Sequence, residues 1–330
     1  MKLATTLALL AISDASHAGE FRRDTIALRP AHTFSIVAMD PATGQLGAAV
    51  QSHWFSVGAN VIWAEPGVGA VATQSFIEVS YGPNGLALMR NGVSAGDALK
   101  QLLAKDEHTN VRQVGMVDAK GNAAVHTGDK AIVAHCEIQG EHFTVQANMM
   151  ENASVCPAMK TAFETSKGDL AERMMAALEA GQGAGGDIRG KQSAAILVVA
   201  GDKGTPLWKG RQFDLRVEDS KEPIVELRRL LHVARTYRRM TDGDDLMTLG
   251  KVDEALVAYS EAETMSPDND EAIFWHAATL AAIGRVDESL PLFGKAFAMK
   301  PSWRELVKRL PASDLLPNDP ALMAKILAVP

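Results

Sequence analysis

T-F-S-I-V-A-M-D-P-A-T-G-Q-L-G-A-A-V, residues 33–50, reads as two short apolar strands folded back on each other. Asp40-Pro41 and Gly44 supply the turn, because proline presets φ and glycine accepts positive φ. Strands so uniformly apolar are covered on both faces, so the pair is expected in the middle of a layered domain. A hydroxyl residue, Thr33, heads the first strand.

Short strands are predicted over 61–64 and 69–73, and Tyr81-Gly82-Pro83-Asn84 opens a helical region that stops at Asn91-Gly92. Ser94 caps a second helix that runs through Leu103. Strands return at 113–118, 123–127, 131–138 and 141–146, with Lys120-Gly121-Asn122 as a hairpin turn. Residues 149–180 carry apolar positions at helical spacing. A glycine-rich loop over 181–190 leads to strands at 193–200 and 208–217. Closely spaced strands without long crossovers pair antiparallel. The order of strands, two helices, strands, two helices, strands predicts an α+β fold: two stacked antiparallel sheets between outer helices, a four-layer αββα sandwich.

The chain has 330 residues, 47% hydrophobic and 22% charged, enough for one sizeable core plus a smaller unit. A formal charge of −7, with no Lys/Arg run, argues against a nucleic-acid partner. Lys2, the apolar stretch 3–12 and Ser16-His17-Ala18 read as an export signal over 1–18, so the mature protein is expected to be periplasmic or secreted. That apolar stretch is short of the roughly 20 residues needed to span a bilayer, and no membrane span is expected after cleavage. Residues 19–32 form a mixed, charged lead-in. Cys136 and Cys156 either pair in an oxidising compartment or remain two buried thiols. Neither has a second ligand at metal-binding spacing, and no metal or cofactor is expected.

The smaller unit follows a polar break at 218–223. A linker helix is predicted over 224–240, and then the sequence repeats at an offset of 34 residues. Gly250 recurs as Gly284, Val252-Asp253-Glu254 as Val286-Asp287-Glu288, Tyr259 as Phe293, Ala262 as Ala296 and Pro267 as Pro301. This period resembles tetratricopeptide repeats, helical hairpins over 236–269 and 270–303 with a degenerate cap after them. The domains expected are 1–18, 19–32, 33–221 and 222–330. The repeats offer a surface for a protein partner or a second subunit.

T-F-S-I-V-A-M-D-P-A-T-G, G-V-G-A-V-A-T-Q ending at Gln74, Y-G-P-N-G-L from Tyr81, R-Q-V-G-M-V-D from Arg112 and G-D-I-R-G-K-Q-S-A-A from Gly186 together resemble a bacterial family catalogued as domain of unknown function 1028. The resemblance implies a fold similar to N-terminal-nucleophile (Ntn) hydrolases. In such an enzyme Thr33 would supply both nucleophile and base, since a free α-amine, with a pKa of about 7.7–8.0, can take the proton of its own hydroxyl. The family pattern places this Thr directly after an initiator Met or a cleavage site. Here cleavage after Ala18 leaves further residues ahead of Thr33, so a second cut between His32 and Thr33 is required. The bland alternative is a β-branched residue that starts a strand.

Gln74 and Asn148, amides at strand ends, are candidate oxyanion donors or simple turn formers. Asn148 lies in Q-A-N where the family pattern has Q-G-N. In the polar cluster after the glycine-rich loop, Asp187 could orient the amine or hydroxyl, Arg189 could clamp a substrate carboxylate and Gln192 could bond an amide, with Ser193 beside them. The alternative is an internal Asp187–Arg189 ion pair that holds the loop. Ser52 and His53 end the second strand, where they could face a substrate. The function expected is hydrolysis of an amide, peptide-like or acyl bond in a small-molecule or peptide-like substrate. The alternative is a non-catalytic envelope binding or scaffold protein that works through its repeats.

Overall fold

A computed structural model describes residues 33–330; the expected export signal and lead-in lie outside the described residues. The chain begins with β1 (Thr33–Met39) and β2 (Leu46–Ser52), every residue of both buried. Next come β3 (Ile62–Glu65), β4 (Gly69–Ser75), α1 (Tyr81–Arg90), α2 (Ala95–Leu103), β5 (Arg112–Asp118), β6 (Ala123–Thr127), β7 (Cys136–Gly140) and β8 (Phe143–Ala147). Then follow α3 (Val155–Thr165), α4 (Leu170–Gly183), β9 (Ser193–Val199), α5 (Leu207–Gly210) and β10 (Arg211–Val217). The remainder is helical: α6 (Pro223–Thr248), α7 (Val252–Met265), α8 (Asp270–Ala282), α9 (Val286–Met299), α10 (Trp303–Val307) and α11 (Pro320–Leu327).

Among the described residues the strands make two antiparallel sheets, one ordered β10-β9-β2-β1-β8-β7 and the other β3-β4-β5-β6. The first four strands are therefore divided: the hairpin β1–β2 sits inside the larger sheet, and β3–β4 begins the smaller one. Alternation along β1 sends Phe34, Ile36 and Ala38 into a core under α3 and α4, and Val37 and Met39 into a core between the sheets. A third core joins Val71, Val114 and Met116 to α1 and α2. The layers are thus α-β-β-α, as the sequence predicts, because the strand pair in the middle is apolar on both faces.

Two segments differ from the sequence reading. Residues 131–135 do not extend β7, because the main chain there turns to the loop after β8: Met149 N–H donates to Ile132 O (3.2 Å) and Met150 N–H to Ala134 O (3.1 Å). The helical stretch expected from residue 149 begins only at Val155; Met149 itself has φ 57°, the left-handed region. It then breaks before α4, where Asp169 caps the new helix by accepting from Glu172 N–H at 2.8 Å. Cys136 and Cys156 are joined in a disulfide with Cα atoms 6.1 Å apart, tying β7 to α3. That decides the open alternative in favour of pairing.

The linker helix and the first helix of the first expected hairpin are one continuous helix, α6, of 26 residues. No proline interrupts it, and its one glycine, Gly243, lies against Tyr259, whose ring would be 2.6 Å from any added Cβ. Its first half packs on the large sheet through Ile224, Leu227 and Leu231. Arg228 bonds Glu179 (2.8 Å) and Glu172, while Arg235 bonds Glu172 (2.8 Å) and Asp169 (2.7 Å). Burial opposes the charge on Glu172, but these two arginines outweigh it and hold the carboxyl below its ordinary range. Gly250 and Gly284 end α6 and α8 alike. Both have positive φ (74° and 86°), and the next N–H reaches back to Leu246 O (2.9 Å) in one and Leu280 O (2.8 Å) in the other.

Candidate active site

Residues directly paired across antiparallel strands share a face, and the pairing here aligns three hydroxyls. Thr33 of β1 is opposite Ser52 of β2, and Ser52 is opposite Ser193 of β9. Alternation puts this row on the face of Ser35, Val37 and Val50, between the two sheets. All three are fully buried.

The head of β1 is held from two directions. Asn148 N–H, just beyond β8, donates to Thr33 O at 3.1 Å. From the opposite sheet, Gln74 Nε2 of β4 donates to the same carbonyl at 3.1 Å. Gln74 Nε2 also lies 2.7 Å from Gln113 Oε1 and 3.3 Å from Gln146 O, so its two hydrogens are engaged inside the protein. Gln74 therefore positions the Thr33 backbone instead of presenting an amide to an oxyanion. The Asn148 side chain donates to Gln113 Oε1 at 2.9 Å.

Gln113, opposite Gln74 in the β4–β5 register, is the hub of this layer. Its amide accepts from Gln74 and Asn148 and donates to Thr127 Oγ1 (2.9 Å) and Ala147 O (3.0 Å). Ser35 completes the layer by donating to Gln74 Oε1 (2.6 Å) and accepting from Gln146 Nε2 (2.6 Å). Gly115 makes room for it: an added Cβ would be 2.4 Å from Thr144 Oγ1 and 2.5 Å from Gln146 Oε1. Sequence reasoning missed Ser35, Gln113 and Gln146. The available signal was a polar residue at an inward period-2 position within an apolar strand, as in R-Q-V-G-M-V-D.

One residue further along, Ser75 is buried with φ 70°, and its hydroxyl finds no hydrogen-bond partner among the described residues. It pairs with Arg112, which bonds Asp106 Oδ2 at 2.7 Å and Phe76 O at 2.6 Å. Burial opposes ionisation of Asp106, but Arg112, the His108 N–H and the Tyr81 hydroxyl prevail and hold its pKa below the ordinary value. Burial and the neighbouring Asp106 push the Tyr81 phenol well above its ordinary range. This cluster braces the end of β5 that carries Gln113.

Asp187 and Arg189 form the ion pair that the sequence offered as an alternative, with Arg189 Nη2 2.7 Å from Asp187 Oδ2. Asp187 Oδ2 also accepts from His53 N–H at 3.1 Å, so the loop after α4 is fastened to the end of β2. His53 itself is exposed. Ser193 Oγ donates to Trp54 O and accepts from Val57 N–H at 3.1 Å, so its hydroxyl secures the loop after β2. The Gln192 amide turns to Asp219 Oδ1 at 3.2 Å. The structure thus brings Thr33, Ser52, Gln74 and Asn148 together; Asp187 is buried against Arg189 and the His53 N–H, whereas the His53 side chain is exposed. Among the described residues no group of three or more His, Cys, Asp or Glu side chains is placed to hold a metal. Nor is any described helix long and apolar enough to cross a membrane.

No curated protein matches the chain. Among solved structures, protein SPO2555 from Silicibacter pomeroyi, itself assigned to the DUF1028 family, is 31% identical, covering 62% of this chain and 89% of that one with a TM-score of 0.56. Anbu (ancestral beta-subunit) from Yersinia bercovieri is 11% identical, covering 60% of this chain and 92% of that one with a TM-score of 0.31, a likeness too distant to carry an argument. The family model described as "Family of unknown function (DUF1028)" matches residues 33–227, the sandwich and the start of α6. This match spans more than half of the chain, and the protein belongs to the DUF1028 family.

Proposed function

We propose that the protein is an exported hydrolase of the N-terminal-nucleophile type, acting on an amide, peptide-like or acyl bond, with Thr33 as nucleophile once cleavage makes it the first residue. The observation that carries this reading is the anchoring of Thr33: a hydroxyl residue at the head of a central strand, its carbonyl gripped by Asn148 from its own sheet and Gln74 from the other. Preorganisation of that kind keeps a reacting hydroxyl in one place. The free α-amine takes the hydroxyl proton as Oγ1 attacks the substrate carbonyl, and returns a proton to the leaving group. Water, deprotonated by the same amine, then releases the acyl group and regenerates Thr33. The Cys136–Cys156 disulfide supports an oxidising compartment.

The test is a chain produced to begin at Thr33 with a site-specific protease, assayed on a panel of chromogenic amides and esters. Hydrolysis is expected, reduced roughly a thousandfold or more in Thr33→Ala and partly kept in Thr33→Ser. Turnover unchanged by Thr33→Ala would exclude the mechanism.

A further inference from the structure

The two helical hairpins leave a groove of about 650 Å³ between α6 and α8, remote in sequence from the Thr33 site. Its α6 wall presents Tyr237, Thr241 and Asp244 at successive turns, and its α8 wall presents Glu271 and Trp275 in the same way. The small residues Ala278 and Ala282 keep the α8 side open. Asp314, beyond α10, also lines it.

The groove is aromatic and acidic together. Tyr237 donates to Glu271 Oε2 at 2.6 Å, and Tyr259 donates to Asp244 Oδ1 at 2.6 Å. These bonds fix the carboxylates beside the phenol hydroxyls and supply no counter-charge. Among the described residues that line the groove none is a cation. The arginines of α6 are turned elsewhere: Arg228 to Glu179, Arg229 to Glu226, Arg235 to Asp169, Arg238 over the Phe213 ring and Arg239 to Asp242. Carboxylates beside exposed aromatic faces attract an alkylammonium or guanidinium by charge and by the ring quadrupole.

We infer that this groove docks a lysine- or arginine-bearing polypeptide segment of a partner protein, its basic side chains meeting Asp244, Glu271 and Asp314 and its apolar side chains lying on Trp275 and Tyr237. A second copy of this chain fits less well, since the protein as a whole is acidic, at −7. The inference stands independently of the hydrolase reading.

The test uses the full chain and a fluorescein-labelled peptide alternating lysine with leucine and alanine, with its glutamate counterpart, read by anisotropy. The lysine peptide is expected to bind and the glutamate peptide to bind at least about tenfold more weakly. Asp244→Asn with Glu271→Gln should weaken the lysine peptide about tenfold, and Asp314→Asn, an exposed change compatible with its left-handed backbone, about threefold. Glu107→Gln with Glu137→Gln, on the sandwich, should change it less than about twofold. Circular dichroism melts show that each variant is folded. Equal binding of both peptides, no binding of the lysine peptide, or equal losses in the groove and sandwich variants would overturn the inference.

Discussion

Gln74 Nε2 reaches across the sandwich from β4 to the main-chain carbonyl of Thr33 on β1, at 3.1 Å. The bond links the two sheets at the residue on which the proposed chemistry rests. It also ties the position of Thr33 to a buried layer of amides instead of to the strand ladder alone. Removing one member of such a layer leaves its partners buried and unpaired, each with its desolvation penalty.

Gln113 is where that layer is most vulnerable. Gln113→Ala removes the acceptor of Gln74 and Asn148 and the donor to Ala147 O, all in a dry setting. A loss of roughly 2–4 kcal/mol is expected, read from urea denaturation. A loss under about 0.5 kcal/mol would show that the network contributes little.

Gly115 tests the same layer by volume. An added methyl would be within 2.4 Å of Thr144 Oγ1, so Gly115→Ala should destabilise by about 1–3 kcal/mol through overpacking. Its thermal midpoint should fall accordingly. A Gly→Ala change in an unobstructed strand would not do this.

The layered core was legible in the sequence because burial on both faces leaves an unbroken apolar run, as in I-V-A-M and L-G-A-A-V. The turns at Asp40-Pro41 and Gly44 and the cap at Ser94 were legible because their chemistry is local. The site was legible only in part. Thr33, Gln74 and Asn148 stand at strand ends where a polar residue draws notice, whereas Ser35, Gln113 and Gln146 are interior. Their meaning depends on which strands face each other across the sandwich, and that is not written in any one segment. Residues 131–135 read as strand because A-I-V-A is apolar and β-branched, yet Val133 is exposed and the carbonyls of Ile132 and Ala134 bond Met149 and Met150 instead of a strand partner.

The disulfide closes a loop with a sequence separation of 20 between Cys136 and Cys156. Loop-closure entropy then gives about 3 kcal/mol. The double change Cys136→Ala with Cys156→Ala should lower stability by about 2–4 kcal/mol, and dithiothreitol should shift the wild-type protein alone.

Acid should act at Asp106. Its carboxyl is held below the ordinary value, as Arg112, the His108 N–H and the Tyr81 hydroxyl outweigh the opposing effect of burial. A depressed folded pKa means that the stabilisation is present above the unfolded value, about 3.9, and is lost as pH falls through the folded value. Urea midpoints of the wild type should therefore drop as pH falls below about 4, and Asp106→Asn should start lower at neutral pH and show a flatter acid limb. Parallel acid limbs would assign the loss to other carboxylates.

The central claim is that Thr33 becomes a free N-terminus. The most direct measurement is intact mass with N-terminal sequencing of the mature protein recovered from culture fluid or the cell envelope. A chain that begins at Thr33 is expected. A stable mature chain that retains residues ahead of Thr33 would contradict it, because the amine the mechanism needs would still be held in a peptide bond.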